Sequence, residues 1–101
     1  MRKLYDLAHC RAGDKGDTAI LSVIAYRQED YALLVERVTV EAVRQHLRGI
    51  VRGEVQRYEL PQLGALQFVC TQALAGGVTT SLGLDAHGKS LSSALLEMPI
   101  G

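Results

Sequence analysis

The chain has no tryptophan, four tyrosines and one phenylalanine, so it lacks the series of aromatic platforms on which single-stranded nucleic acid stacks. It has no surplus of either charge: eleven Lys and Arg side chains stand against eleven Asp and Glu. That balance removes the long-range field that draws proteins to nucleic acid or to an anionic membrane. It has only two cysteines, Cys10 and Cys70, too far apart in sequence to form a close metal-binding pair and expected to be free thiols in a reducing compartment. Cys70 sits in an apolar run and reads as core. The longest apolar stretch, Ala19 to Tyr26, falls far short of the roughly 20 residues needed to cross a bilayer. Nothing apolar follows Met1-Arg2-Lys3 in the manner of a secretory signal, so a cytoplasmic location is expected, with no nucleic acid and no membrane as partner.

What is present is enough for one core. The 101 residues are 48% hydrophobic and 22% charged, without low-complexity tracts, so residues 1–101 are read as a single folded domain. Lys3 to Ala8 alternates weakly and reads as a strand. Thr18 to Tyr26 is nearly continuous in aliphatic residues, which predicts a central strand buried on both faces. From Gln28 the spacing of Tyr31, Leu34, Val35 and Val38 is that of a short amphipathic helix. Thr39 is a good N-cap for a second helix that aligns Val40, Val43 and Leu47 and stops at Gly49, with Arg44, Gln45, His46 and Arg48 facing solvent. Glu54 to Leu60 reads as a strand ended by Pro61, with a turn through Gln62 to Gly64. Residues 65–74 fit strand or helix, with strand favoured. Gly76-Gly77 breaks the chain before a strand over Val78 to Leu84, and Ser90 caps a terminal helix carrying Leu91, Leu95 and Leu96 and ended by Pro99.

Two polar glycine-bearing loops concentrate the chemistry. The first runs from His9 through Cys10, Arg11, Ala12, Gly13, Asp14, Lys15, Gly16 and Asp17 to Thr18; the second contains Asp85, His87, Gly88 and Lys89. Backbone N–H groups around Gly13 and Gly16, with Arg11, Lys15 and Thr18, suit a phosphate, but the P-loop spacing is missing and Asp14 and Asp17 repel an anion. A tight turn in which the aspartates accept backbone hydrogen bonds and the glycines supply positive φ accounts for the same residues. His9, Cys10, Asp14, Asp17, Asp85 and His87 offer metal ligands without diagnostic spacing, so no metal is assigned. Cys10 with His9 or His87 is a candidate nucleophile and base, set against the commoner role of a lone cysteine in packing.

The chain resembles the small ferredoxin-like domain found at the C-terminal end of acyclic terpene utilisation proteins of the AtuA type. The resemblance spans nearly all of it and rests on Arg11-Ala12-Gly13-Asp14-Lys15-Gly16-Asp17, Arg57-Tyr58-Glu59-Leu60-Pro61, Gly76-Gly77-Val78-Thr79, and Ser81-Leu82 with Leu84-Asp85-Ala86-His87-Gly88-Lys89. It implies an α+β sandwich with an antiparallel sheet of four to five strands and helices on one face; a permuted ferredoxin-like order satisfies both readings. Longer family members carry a much larger N-terminal domain, so the resemblance implies a stand-alone version whose larger AtuA-like protein is a separate partner. It links Arg11, Asp14, Lys15, Asp17, Asp85 and Lys89 as one set and brings no catalytic assignment and no cofactor. Two functions stay open. One is an accessory domain or small subunit working with the larger protein in acyclic terpene or acyl-coenzyme A catabolism, and self-associating as a homo-oligomer. The other is an enzyme or small-anion-binding domain acting on an acyl-coenzyme A or carboxylate at the two charged loops.

Overall fold

The computed structural model describes residues 2–73 and 89–100. They form strands β1 (Ala8–Lys15), β2 (Thr18–Ala25), β3 (Val55–Leu60) and β4 (Ala65–Cys70), with helices α1 (Tyr31–Arg37), α2 (Val40–His46) and α3 (Lys89–Leu96). The strands make one antiparallel sheet in the order β1-β2-β4-β3, an α+β arrangement as expected. The ambiguous stretch after Gly64 is therefore strand. The expected strand over Val78 to Leu84 lies outside the described residues.

The helices share a core with one face of the sheet. Leu21 and Val23 of β2, Leu66, Phe68 and Cys70 of β4, Leu34 of α1 with Val38 just after it, Val43 of α2 with Leu47 just after it, and Leu95 of α3 are buried together. Burying each such side chain contributes about 1.5–3 kcal/mol before chain entropy is counted. Expected burial of β2 on both faces is corrected: Ala19, Leu21 and Val23 are buried, whereas Thr18, Ile20, Ser22 and Ile24 are half-exposed. The alternation follows from coverage, because among the described residues the helices pack on one side only.

The N-terminal expectation is also revised. Instead of a strand over Lys3 to Ala8, Leu4–Asp6 forms a 3-10 turn. Asp6 Oδ2 accepts from the Lys3 backbone N–H at 2.9 Å, a local bond that competes with a sheet ladder. The flanking backbone pairs instead with the C-terminal segment, Leu4 N–H to Met98 O at 2.8 Å and Ile100 N–H to Arg2 O at 2.9 Å.

The helix signals hold with small changes. Thr39 Oγ1 accepts from Ala42 N–H at 3.1 Å, capping α2 as its sequence predicts. That helix ends at His46 with Leu47 as its C-cap and without a left-handed glycine, since Gly49 has no positive φ. His46, expected at the surface, is half-buried: its Nε2 lies 2.7 Å from Ala94 O and donates to it, tying α2 to α3. Helix α3 begins at Lys89, one residue before the expected cap, and ends at Leu96 ahead of Pro99.

Candidate functional site

The first glycine-bearing segment is not a loop. His9 to Lys15 belongs to β1, paired residue for residue with β2 from Ala8 opposite Ala25 to Lys15 opposite Thr18. Its composition is loop-like, but its alternation places Ala8, Cys10 and Ala12 opposite the inward residues Ala25, Val23 and Leu21, and the apolar β2 supplies the partner that overrides local propensity. Only Gly16 and Asp17 remain as connection. Gly16 has φ +65° and Asp17 no positive φ, the pattern of a type II′ two-residue hairpin with glycine first. Gly13 has no positive φ and open space where a Cβ would stand, so the expected turn role belongs to Gly16 alone.

Side chains divide accordingly. The outward set of β1 is His9, Arg11, Gly13 and Lys15, opposite Ile24, Ser22, Ile20 and Thr18 on the face of the sheet away from the helices. His9 stacks on Tyr26 at 5.7 Å between ring centroids and 16° between planes. Arg11 and Lys15 are exposed, and among the described residues neither has an ion pair or side-chain hydrogen bond. The row through Arg11, Ser22, Gln67 and Tyr58 crosses the whole sheet, flanked by Ile24 on one side and Ile20 with Val69 on the other.

Cys10 faces the core side, and its Sγ lies 3.8 Å from Arg11 O. Burial first, and the neighbouring Cys70 thiol second, push its pKa up from 9.0 to about 12. The thiolate needed for nucleophilic attack is thus suppressed at neutral pH, which does not suit the candidate role of Cys10 as a nucleophile. Cys70, fully buried, is raised to about 11 by burial. Both cysteines are free.

Asp14 occupies the ladder position opposite Ala19. Asp17 is exposed, and its carbonyl accepts from Ala73 N–H at 2.8 Å, fastening the hairpin turn to the chain just beyond β4. Of the second loop, Asp85, His87 and Gly88 lie outside the described residues, and Lys89 enters as the first residue of α3. Among the described residues, no three of His, Cys, Asp and Glu gather to hold a metal ion, and no helix is long and apolar enough to cross a membrane.

Arg57, in another of the distinctive sequence blocks, has a structural task that spacing did not reveal. It sits opposite Phe68 on β3, and its Nη1 donates to Val35 O and Val38 O, both at 2.9 Å, closing the C-terminal end of α1. Its Nη2 donates to Glu59 Oε2 at 2.9 Å. Tyr58, between them in sequence, is outward, with its hydroxyl donating to Gln56 Oε1 at 2.9 Å.

Among the described residues these features define a small α+β domain whose sheet is covered by helices on one side and carries a cationic edge strand, β1, facing the other. A family model described as the AtuA ferredoxin-like domain matches residues 2–101, and the chain belongs to that family. Comparison with the curated proteins and with the solved structures found no match.

Proposed function

We propose that this chain is an accessory domain or small subunit that works with a larger AtuA-family protein, in the catabolism of acyclic terpenes or of acyl-coenzyme A esters, with the outward face of β1 as its contact surface. One observation carries the reading: Arg11 and Lys15 stand exposed on one face of β1, either side of Gly13, unpaired among the described residues, beside the aliphatic Ile20 and Ile24. Exposed cations on an apolar surface suit an acidic, partly apolar counterface, where charge complementarity sets orientation and on-rate. The inward, protonated Cys10 supports a role other than thiol catalysis. Self-association belongs to the same reading, since β1 has one strand neighbour among the described residues and a sheet edge is open to pairing with a second copy.

A second reading draws on the neighbours of the two cations. Arg11 lies opposite Ser22 and Lys15 opposite Thr18, so guanidinium, ammonium and hydroxyl groups share one face and suit the carboxylate or phosphate of an acyl-coenzyme A. Mild purification from the native host, with light-scattering mass and mass spectrometry of co-eluting chains, tests the first reading. A stoichiometric larger AtuA-family protein is the expected result, and it is lost in the Arg11→Glu, Lys15→Glu double variant. A homo-oligomer with no larger partner overturns the accessory role. Loss of turnover in an intact complex carrying that variant moves the assignment to catalysis.

A further inference from the structure

A second concentration of charge lies apart from β1. Arg44 and Arg48 are one turn apart along α2 and its exit. The following turn, closed by Ile50 N–H and Val51 N–H to Leu47 O at 2.8 Å each, brings the chain back so that Arg52 joins them. Arg44, Arg48, Arg52 and Glu41 line an open groove of ≈ 380 Å³ that Gly53 also borders, within the range of about 300–1,000 Å³ typical of small-molecule sites.

The backbone under this groove is fixed. Arg52 N–H donates to Gln72 O at 3.2 Å and Gly53 N–H to Thr71 O at 3.0 Å, while Glu54 N–H donates to Thr71 Oγ1 at 2.8 Å. A Cβ on Gly53 would collide with Thr71, so a glycine is required for this close approach.

Basic groups at a helix C-terminus ordinarily offset the helix dipole. That account covers Arg44 but leaves Arg52, which lies beyond the helix. Nor are these side chains caps: the carbonyls of Val43, Gln45 and Leu47 accept from backbone N–H groups, and among the described residues the side chains of the three exposed arginines have no hydrogen-bond or ion-pair partner. Three arginines less one glutamate leave the groove with a formal charge of +2 (3 − 1), in a chain whose eleven positive and eleven negative groups cancel. A single carboxylate answers half of that charge. A phosphomonoester carries about −1.5 to −2 near neutral pH and offers three acceptor oxygens, the geometry that forked guanidinium groups bind best.

We propose that the Arg44, Arg48 and Arg52 groove binds the phosphate group of a small phosphomonoester. The site is separate from the β1 surface and independent of the partner reading. The test titrates the full chain with inorganic phosphate and with glycerol phosphate by calorimetry and thermal melting, against chloride and acetate at matched ionic strength. Saturable binding and stabilisation by the phosphates alone are expected, because a ligand of the native state raises its stability as concentration passes the Kd.

Arg44→Gln, Arg48→Gln and Arg52→Gln each weaken binding about tenfold or more, the worth of a charge-assisted hydrogen bond. Glu41→Gln tightens it, a gain that damage to the fold does not produce. Arg11→Glu with Lys15→Glu abolishes partner capture, and the phosphate binding that persists in that variant and is lost in the Arg44, Arg48 and Arg52 variants is the groove's, so the two readings fail separately. No saturable response, an equal response to acetate, or insensitivity to the three arginines and Glu41 overturns the proposal.

Discussion

Replacing Arg57 with alanine tests whether the Arg57 block is a structural clamp. The side chain is only 17% exposed, and it supplies the hydrogen-bond donors for Val35 O and Val38 O. Hydrogen bonds to a charged group are each worth about 1.5–3 kcal/mol in a folded protein, and a truncation that leaves carbonyls unpaired loses most of that. The pair with Glu59 adds little, because Glu59 is 51% exposed and such ion pairs contribute roughly 0–1 kcal/mol. Water reaching the freed carbonyls returns part of the loss. Arg57→Ala is therefore expected to destabilise the domain by about 2–4 kcal/mol, a fall in Tm on the order of 10–20 °C for a chain of this length. Urea unfolding followed by circular dichroism measures it, as a shift of midpoint at constant slope. Arg57→Lys retains one donor centre and falls between wild type and alanine, while Glu59→Gln costs under about 1 kcal/mol. A loss below about 1 kcal/mol for Arg57→Ala, or a larger loss for Glu59→Gln than for Arg57→Ala, refutes the clamp.

Other outcomes follow from single contacts. Cys10 and Cys70 resist alkylation at pH 8 in the native state and react after unfolding, as mass spectrometry will show; rapid native labelling of Cys10 contradicts its inward placement. Both thiols are raised from 9.0, to about 12 and about 11, so their contribution to stability is fully present below pH 9 and declines as pH rises through the folded values. Urea midpoints measured between pH 8 and 11 should fall accordingly, and more gently in a Cys10→Ala variant. The glycines separate in one series of melts: Gly53→Ala costs about 1–3 kcal/mol by overpacking against Thr71, and Gly16→Ala costs about 1 kcal/mol at its positive φ. Gly13→Ala changes stability by less than about 0.5 kcal/mol, the usual limit for a surface change that disturbs no contact. Thr39→Ala removes the cap of α2 and costs about 1 kcal/mol.

The helices were legible because their signals are local. A capping threonine and a three-four apolar spacing needed no knowledge of the partner, and α1 and α2 lie where those signals fall. The strand at the first charged block was not, because glycine, aspartate and lysine share the composition of a turn. What makes it a strand is its register against β2, a relation between residues far apart in the pattern that a local reading averages away. The same blindness to coverage turned the aliphatic run of β2 into a strand buried on both faces. Arg44 and Arg48 were visible at helical spacing, but bringing Arg52 to the same groove depends on the turn after Leu47 and on bonds to Thr71 and Gln72.

The blocks that carry the family resemblance differ in how much of their chemistry the fold uses. In Arg57-Tyr58-Glu59-Leu60-Pro61, Arg57 closes a helix, Glu59 pairs with it, and Pro61 opens a 3-10 turn that Gly64 ends in the left-handed region at φ +61°. Little is left over for a partner or ligand. In the first block, Ala12 packs against the core, as does Cys10 just before it, and Gly16 makes the hairpin turn. Arg11, Gly13 and Lys15 do none of these things: two cations without a partner among the described residues flank a glycine that no backbone conformation requires. Residues that stability does not explain are the ones to assign to recognition, and here all three project from one face of one strand. Gly13→Ala therefore has a second use. If it leaves melting unchanged but abolishes capture of the larger protein proposed as partner, the missing side chain is needed for a close approach of that partner to β1; if capture survives, Gly13 is not part of the proposed contact.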